Sequence, residues 1–292
     1  MHDLLSPRTL WAMHPDHLAA LLKQLTIEAM LPEKLNALAG VLAGGREARS
    51  TPDPVREGAT VVVTVQGTLA PNGVYYGGTS TDILADRIRE FGADNKVGAI
   101  VLRMRSPGGL VYGTRECGDA IFEARQAKPI VAVADPFAFS ACHWLACQAS
   151  AFYASYSADV GSVGIRGGHT DMSGLEAKLG LKTTLIASHP DKIAANPHEP
   201  LTDEDRAVLQ AEIDECDAEF VAAIARGRGI KPSEVHDIHG NGHIFSAKRA
   251  TAAGITDGVM SLREVIAKYG SSRSRLDLMR RQAALLEQSA AI

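Results

Sequence analysis

An α/β fold with a largely parallel sheet is what this sequence predicts, and three observations carry that expectation. Short apolar, β-branched runs recur at 60–65, 99–104 and 130–134. Segments with apolar residues at helical spacing, 82–91 and 111–127, fall between them. Glycine, proline and polar residues punctuate the boundaries. Strands alternating with helices describe repeated βαβ units, whose crossovers require neighbouring strands to run in parallel.

Ahead of this pattern, 16–42 carries Leu18, Leu21, Leu22, Leu25, Ile27 and Met30 at helical spacing, and a stretch rich in Gly, Arg and Pro, 44–58, reads as a linker. Residues 1–57 are therefore expected to be a helical arm and linker, 58–270 the main domain, and 271–292 a tail that is basic first and then rich in Ala, Leu and Gln. Beyond the first three strands, 140–150 reads as a short apolar helix, 151–154 as a strand and 172–179 as a helix following the glycine-rich 161–168. A further strand is predicted at 183–187. Thr202, followed by Asp203, Glu204 and Asp205, suits the start of a long helix: the hydroxyl caps free amides and the acids complement the positive end. Gly227 and Gly229 are expected to stop it. A short helix after Phe245 ends at Gly254, and 262–268 is the last one.

Bulk properties narrow the function. With 292 residues, 46% hydrophobic and 22% charged, the chain is long enough for one large globular domain. A net charge of −4 leaves no basic footprint for nucleic acid. Cys117, Cys142, Cys147 and Cys216 lie in apolar helical patterns without a Cys-x-x-Cys pair, as buried free thiols of a reducing compartment do. Arg8, Asp16, His17 and Lys23 interrupt residues 1–30, so neither a signal peptide nor a membrane anchor is expected. A cytoplasmic location follows.

Two stretches sit where a parallel sheet presents chemistry, just past a strand's carboxyl end. Ser106-Pro107-Gly108-Gly109 follows the 99–104 run. Its glycines let the backbone approach a ligand and point N–H groups at an oxyanion, although a plain strand-to-helix turn would use them equally. Ser140, in Phe137-Ala138-Phe139-Ser140-Ala141-Cys142, opens a helix after the 130–134 run. It is either a helix cap or an exposed nucleophile with the Ala141 amide beside it. A serine nucleophile needs a base. Lys192, following the 183–187 run, is one candidate, because an ammonium lodged among apolar groups tends to lose its charge. Most loop lysines are simply solvated, and position alone does not select it.

From about residue 60 to 269 the chain resembles the signal peptide peptidase A family of serine peptidases, including its phage capsid-assembly branch. The shared pieces come in order: Gln66-Gly67, Ser106-Pro107-Gly108-Gly109, Phe139-Ser140-Ala141, Val160-Gly161-Ser162-Val163-Gly164-Ile165, Lys192 with Asn196-Pro197, and Ile244-Phe245-Ser246-Ala247-Lys248-Arg249-Ala250 closing with Gly254-Ile255-Thr256-Asp257-Gly258. The resemblance implies a crotonase/Clp-protease-like fold, Ser140 as nucleophile, Lys192 as general base, and oxyanion amides from Gly108 or Gly109 together with Ala141. It implies no cofactor and no metal. It further implies peptide or protein substrates, such as phage scaffold or capsid proteins, and a homo-oligomer. The missing anchor and the segment around Trp11, His14 and Pro15 point to the phage branch and to proheads.

Other groupings compete. His169 and Asp171 would make a Clp-like Ser-His-Asp triad with Ser140. His236, His239 and His243 have metal-like spacing, but Gly240 and Gly242 interrupt the helix, so a polar surface loop is expected there. Cys142 and His143 are adjacent on one helix and diverge, which makes Cys142 a core residue. A crotonase-type acyl-CoA enzyme or a non-catalytic capsid component would also suit the fold.

Overall fold

The computed structural model describes residues 11–13, 52–72 and 78–270, with positions 279 and 283. The expected helix at 16–42, and all of the tail at 271–292 except those two positions, lie outside the described residues.

The main sheet has seven strands: β2 (Val55–Glu57), β3 (Thr60–Gln66), β6 (Ala99–Ser106), β8 (Ile130–Phe139), β9 (Ala151–Ala154), β10 (Asp159–Gly161) and β11 (Ile244–Ser246). The order is β11-β10-β8-β6-β3-β2, with β9 also paired to β8. β3, β6, β8, β9 and β10 run in parallel; β2 and β11 close the ends antiparallel. A smaller sheet joins β1 (Trp11–Met13), β7 (Gly108–Leu110), β4 (Leu69–Ala70) and β5 (Thr79–Ser80) in that order.

The expected strands at 60–65, 99–104, 130–134 and 151–154 are all present. Alternation explains why they read as unbroken apolar runs. Val61, Val63, Val65, Ile100, Leu102, Met104, Ile130, Ala132 and Ala134 face one buried layer. Val62, Ala99, Val101, Val131, Val133, Ala151 and Tyr153 face the other. The first face is covered by helices α1 (Thr81–Ala93), α2 (Thr114–Ala124), α3 (Ala141–Cys147) and α5 (Asp203–Arg228), through residues such as Leu84, Ile88, Ile121, Leu145 and Ile224. The second lies under α8 (Leu262–Tyr269), through Val265 and Tyr269. Two shorter helices, α6 (Pro232–His239) and α7 (Ala247–Ala252), flank β11; α4 (Ser173–Lys178) lies apart from the core and has no buried residue.

Several expectations are corrected. Residues 55–57, expected in a linker, form β2. Gly227 does not end α5: it sits inside the helix, where an added Cβ would lie 2.2 Å from the carbonyl oxygen of Cys147. Its bare backbone lets α5 close on α3, and Gly229, at φ 68°, is the left-handed cap. Thr202 caps the other end by accepting from the Asp205 amide at 3.0 Å. No strand forms at 183–187. A strand needs a neighbour to take its backbone hydrogen bonds, and within the described residues this chain supplies none there. Leu181, Leu185 and Ile186 are left exposed, Ile186 at 94%.

Candidate active site

β8 is the element that builds the site. Its first half pairs with β9 (Val131↔Ala151 to Ala134↔Ala154) and its second half with β10 (Phe137↔Asp159 to Phe139↔Gly161). Against β6 the register shifts after Met104↔Ala134, so that Arg105 meets Phe137 and Ser106 meets Ala138. That shift sets the start of the Ser106-Pro107-Gly108-Gly109 turn beside the end of β8, two residues before Ser140. The two loops singled out in the sequence are thus brought together.

Ser140 is 1% exposed and adopts φ 51°, ψ −120°. A non-glycine residue rarely takes such a conformation, which costs of order 1–3 kcal/mol and is kept where the surroundings enforce it. Two backbone bonds do so here: the Ser140 amide donates to the Gly161 carbonyl at 2.8 Å, and the Ser140 carbonyl accepts from the Trp144 amide at 2.9 Å. The side chain makes no cap hydrogen bond, so Ser140 is a sharp strand-to-helix elbow and not the ordinary N-cap its position also allowed. Behind it all seven residues of α3 are buried, and Trp144 stacks on Phe220 at 4.6 Å between centroids.

The glycine turn is held by Ser106, whose hydroxyl donates to the Gly67 carbonyl at 2.6 Å and accepts from the Gly108 amide at 3.1 Å. Gly108 therefore has its amide engaged. At Gly109 an added Cβ would lie 2.0 Å from the Leu69 carbonyl oxygen, so glycine is required by close approach of β4. No described group accepts from the Ala141 amide. Cys142 packs against Ser106, and burial pushes its thiol up to about 12, which keeps it a neutral core group.

Lys192 is exposed, on a single 3₁₀ turn (Pro190–Lys192), and makes no hydrogen bond to Ser140. Its loop is shaped by Asn196, which donates through Nδ2 to the Ile193 carbonyl at 2.7 Å and accepts at Oδ1 from the His198 amide at 2.9 Å. Asp205 takes the amide of Ala195, a residue at φ 52°. His169 belongs to the same support: its Nε2 lies 2.8 Å from the Asn196 carbonyl oxygen, which only an N–H can satisfy. Asp171 accepts from the Ser173 amide at 2.8 Å; hydrogen bonding from the Ser173 side chain, and then from that amide, lowers its pKa. His169 is thus engaged with a backbone carbonyl, Asp171 caps a helix start, and no hydrogen bond links either to Ser140.

Of the three histidines expected in a polar surface loop, His243 is exposed there, but His239 is not. His239 ends α6 and is fully buried, with Nδ1 3.0 Å from Nε2 of buried His143. His236 instead lies 3.2 Å from Asp217. Sequence reasoning missed the His143–His239 pair; its one signal was a histidine inside an otherwise apolar helix. Burial drives both pKa values down, His239 to about 3 and His143 well below the ordinary range, so both rings are neutral. Cys147, one turn after His143, places its sulfur so that three ligating atoms lie within 4.8 Å of one another. The set fits a metal poorly. Ligating imidazoles anchor their outer N–H on a carboxylate or carbonyl, whereas Nδ1 of His143 and Nε2 of His239 are buried without a hydrogen-bond partner. Nearby, Arg228 pairs with Asp257 at 3.0 Å in the interior, and Arg125 clamps the carbonyls of Gln148, Ala149 and Gly227.

A serine elbow beside a glycine turn, on a mainly parallel sheet covered by helices, defines the class as an α/β fold of crotonase/Clp-like type. The profile of peptidase family S49 matches residues 123–274, and the chain belongs to that family. It is 31% identical to the capsid assembly protease C of Escherichia phage lambda over 79% of this chain and 52% of that protein. It is 29% identical to the head-tail preconnector protein GP5 of Enterobacteria phage P21, over 66% of this chain and 38% of that one. Protease 4 of Salmonella typhi is 28% identical over 74% of this chain and 35% of its own length. The chain spans about half the length of these relatives or less. Among the described residues no helix is long and apolar enough to cross a membrane.

Proposed function

We propose that the chain is a serine endopeptidase in which Ser140 attacks the peptide carbonyl and Lys192 takes its proton, acting on scaffold or capsid proteins during phage head assembly. The observation that carries this reading is the strained, hydrogen-bonded backbone of Ser140 beside the glycine turn, within the S49 family. Oγ adds to the carbonyl carbon, and the Ala141 amide together with that of Gly108 or Gly109 holds the resulting oxyanion. The leaving amine takes the proton back from Lys192, and water then releases the acyl group by the same route.

A base must hold a lone pair, and removing water from around an ammonium disfavours its charged form. Lys192 is exposed in the single chain, as are Leu175, Leu179, Leu181, Leu185 and Ile186 in the same region. An apolar surface of this kind is normally covered by a partner. Packing against a second copy would bury it and dry the Lys192 loop, which supports a homo-oligomeric peptidase.

The test is covalent labelling with a fluorophosphonate followed by peptide mapping. Modification at Ser140, lost in Ser140→Ala with the fold retained, is the expected result. Modification elsewhere, with Ser140→Ala fully active on peptides, would overturn the assignment.

A further inference from the structure

The glycine strand β7 has two edges. One is occupied by β4, where Gly109 and Leu69 approach so closely that no side chain fits between them. The other is occupied by residues 11–13 of the same chain: Trp11 opposite Leu110, Ala12 opposite Gly109 and Met13 opposite Gly108, antiparallel. β7 continues directly from the turn that touches the Ser140 helix through Ser106 and Cys142. An extended chain lying on that outer edge therefore runs past the nucleophile elbow, carried by backbone hydrogen bonds as in strand addition to an exposed edge.

We propose that residues 11–13 are a resident occupant of this outer edge of β7, which an extended substrate main chain must displace. The inference rests on the peptidase reading and adds a regulation to it. Three features favour displacement over permanent structure. β1 is three residues long, so few ladder bonds hold it. Residues 14–54 separate it from β2, so each seating joins segments far apart in the sequence, which carries an entropic cost. Finally, among the described residues it pairs with β7 alone, at the edge of the smaller sheet, so its departure leaves the seven-stranded sheet intact.

A strand seated in nine molecules of ten raises the apparent KM about tenfold, because only the open fraction binds. In an antiparallel ladder alternate residues turn their amides toward the partner, and proline removes that amide. Full-length Ala12→Pro and Met13→Pro therefore cover both phases of β1. The expected result is that at least one lowers KM for an extended peptide about tenfold at unchanged kcat. A synthetic peptide with the sequence of residues 9–15 should inhibit the wild-type protein competitively, a measurement that needs no variant. Unmoved KM in both variants, activity lost with the fold retained, or no competition by the peptide would overturn the proposal. A small fluorophosphonate, which needs no strand docking, separates the two levels. Labelling of Ser140 at equal rates with unmoved KM removes the occupant and leaves the peptidase. No labelling in any form removes both.

Discussion

The buried His143–His239 pair makes stability fall in mild acid, and the size of that fall follows from the burial. His239 ordinarily titrates near 6.5 and is held to about 3 in the folded chain, chiefly by desolvation and then by Arg228. The unfolded chain therefore binds the proton first. Stability is fully present above about pH 6.5, falls as the pH drops from there, and levels off once the folded ring also protonates near 3. Over the whole window His239 alone is worth about 5 kcal/mol, at about 1.4 kcal/mol per pH unit. At about pH 5.5, before most carboxylates titrate, the loss from His239 is on the order of 1 kcal/mol, and His143, shifted down by burial, adds to it. The assay is urea unfolding at about pH 7.5 and 5.5 for wild type and for His143→Leu/His239→Leu. Removing both partners of a buried hydrogen bond leaves neither stranded, so the double variant should fold. Its stability should change less between the two pH values, by at least about 1 kcal/mol. Equal pH slopes for the two proteins would refute the reasoning.

The other expectations concern catalysis and packing. Lys192→Ala should lose turnover by a factor of about a thousand or more, since nucleophile and base act as a unit. His169→Ala should cost far less; its main effect would be a looser Lys192 loop through the lost contact to Asn196, read as a higher KM. A dead His169→Ala beside an active Lys192→Ala would reverse the assignment of the base. Gly227→Ala forces a methyl against the Cys147 carbonyl and should destabilise the fold by about 1–3 kcal/mol in denaturant unfolding. Wild-type stability would show that α5 can move away from α3 freely. Arg228→Leu removes the guanidinium paired with the buried Asp257 carboxylate and should cost about 3–5 kcal/mol by the same measurement.

Some of this was legible in the residues themselves. The strands at 60–65, 99–104 and 130–134 announce themselves because both faces of a parallel sheet are buried, which demands continuous apolar runs. Helix α5 declares its start at Thr202 because caps are local chemistry. The glycine turn and Ser140 were each visible as strand-end loops. Their adjacency was not, since it depends on the register shift between β6 and β8 that sets Ser106 opposite Ala138. Short strands such as β7, β10 and β11 escaped notice because two or three residues carry no periodicity. At 183–187 the local preference was right for a strand, yet a strand exists only where another backbone accepts its hydrogen bonds.

By itself the sequence determined the α/β class, the order of the main elements, the family resemblance, and the residues that could act as nucleophile and base. Tertiary structure alone decided the rest. It twisted Ser140 into an elbow, committed His169 to the Asn196 carbonyl, and buried His239 against His143. It also left Lys192 in solvent within the single chain. The physical reason is common to all four. A residue's chemistry is local, but its protonation, strain and accessibility depend on groups brought up from distant parts of the chain.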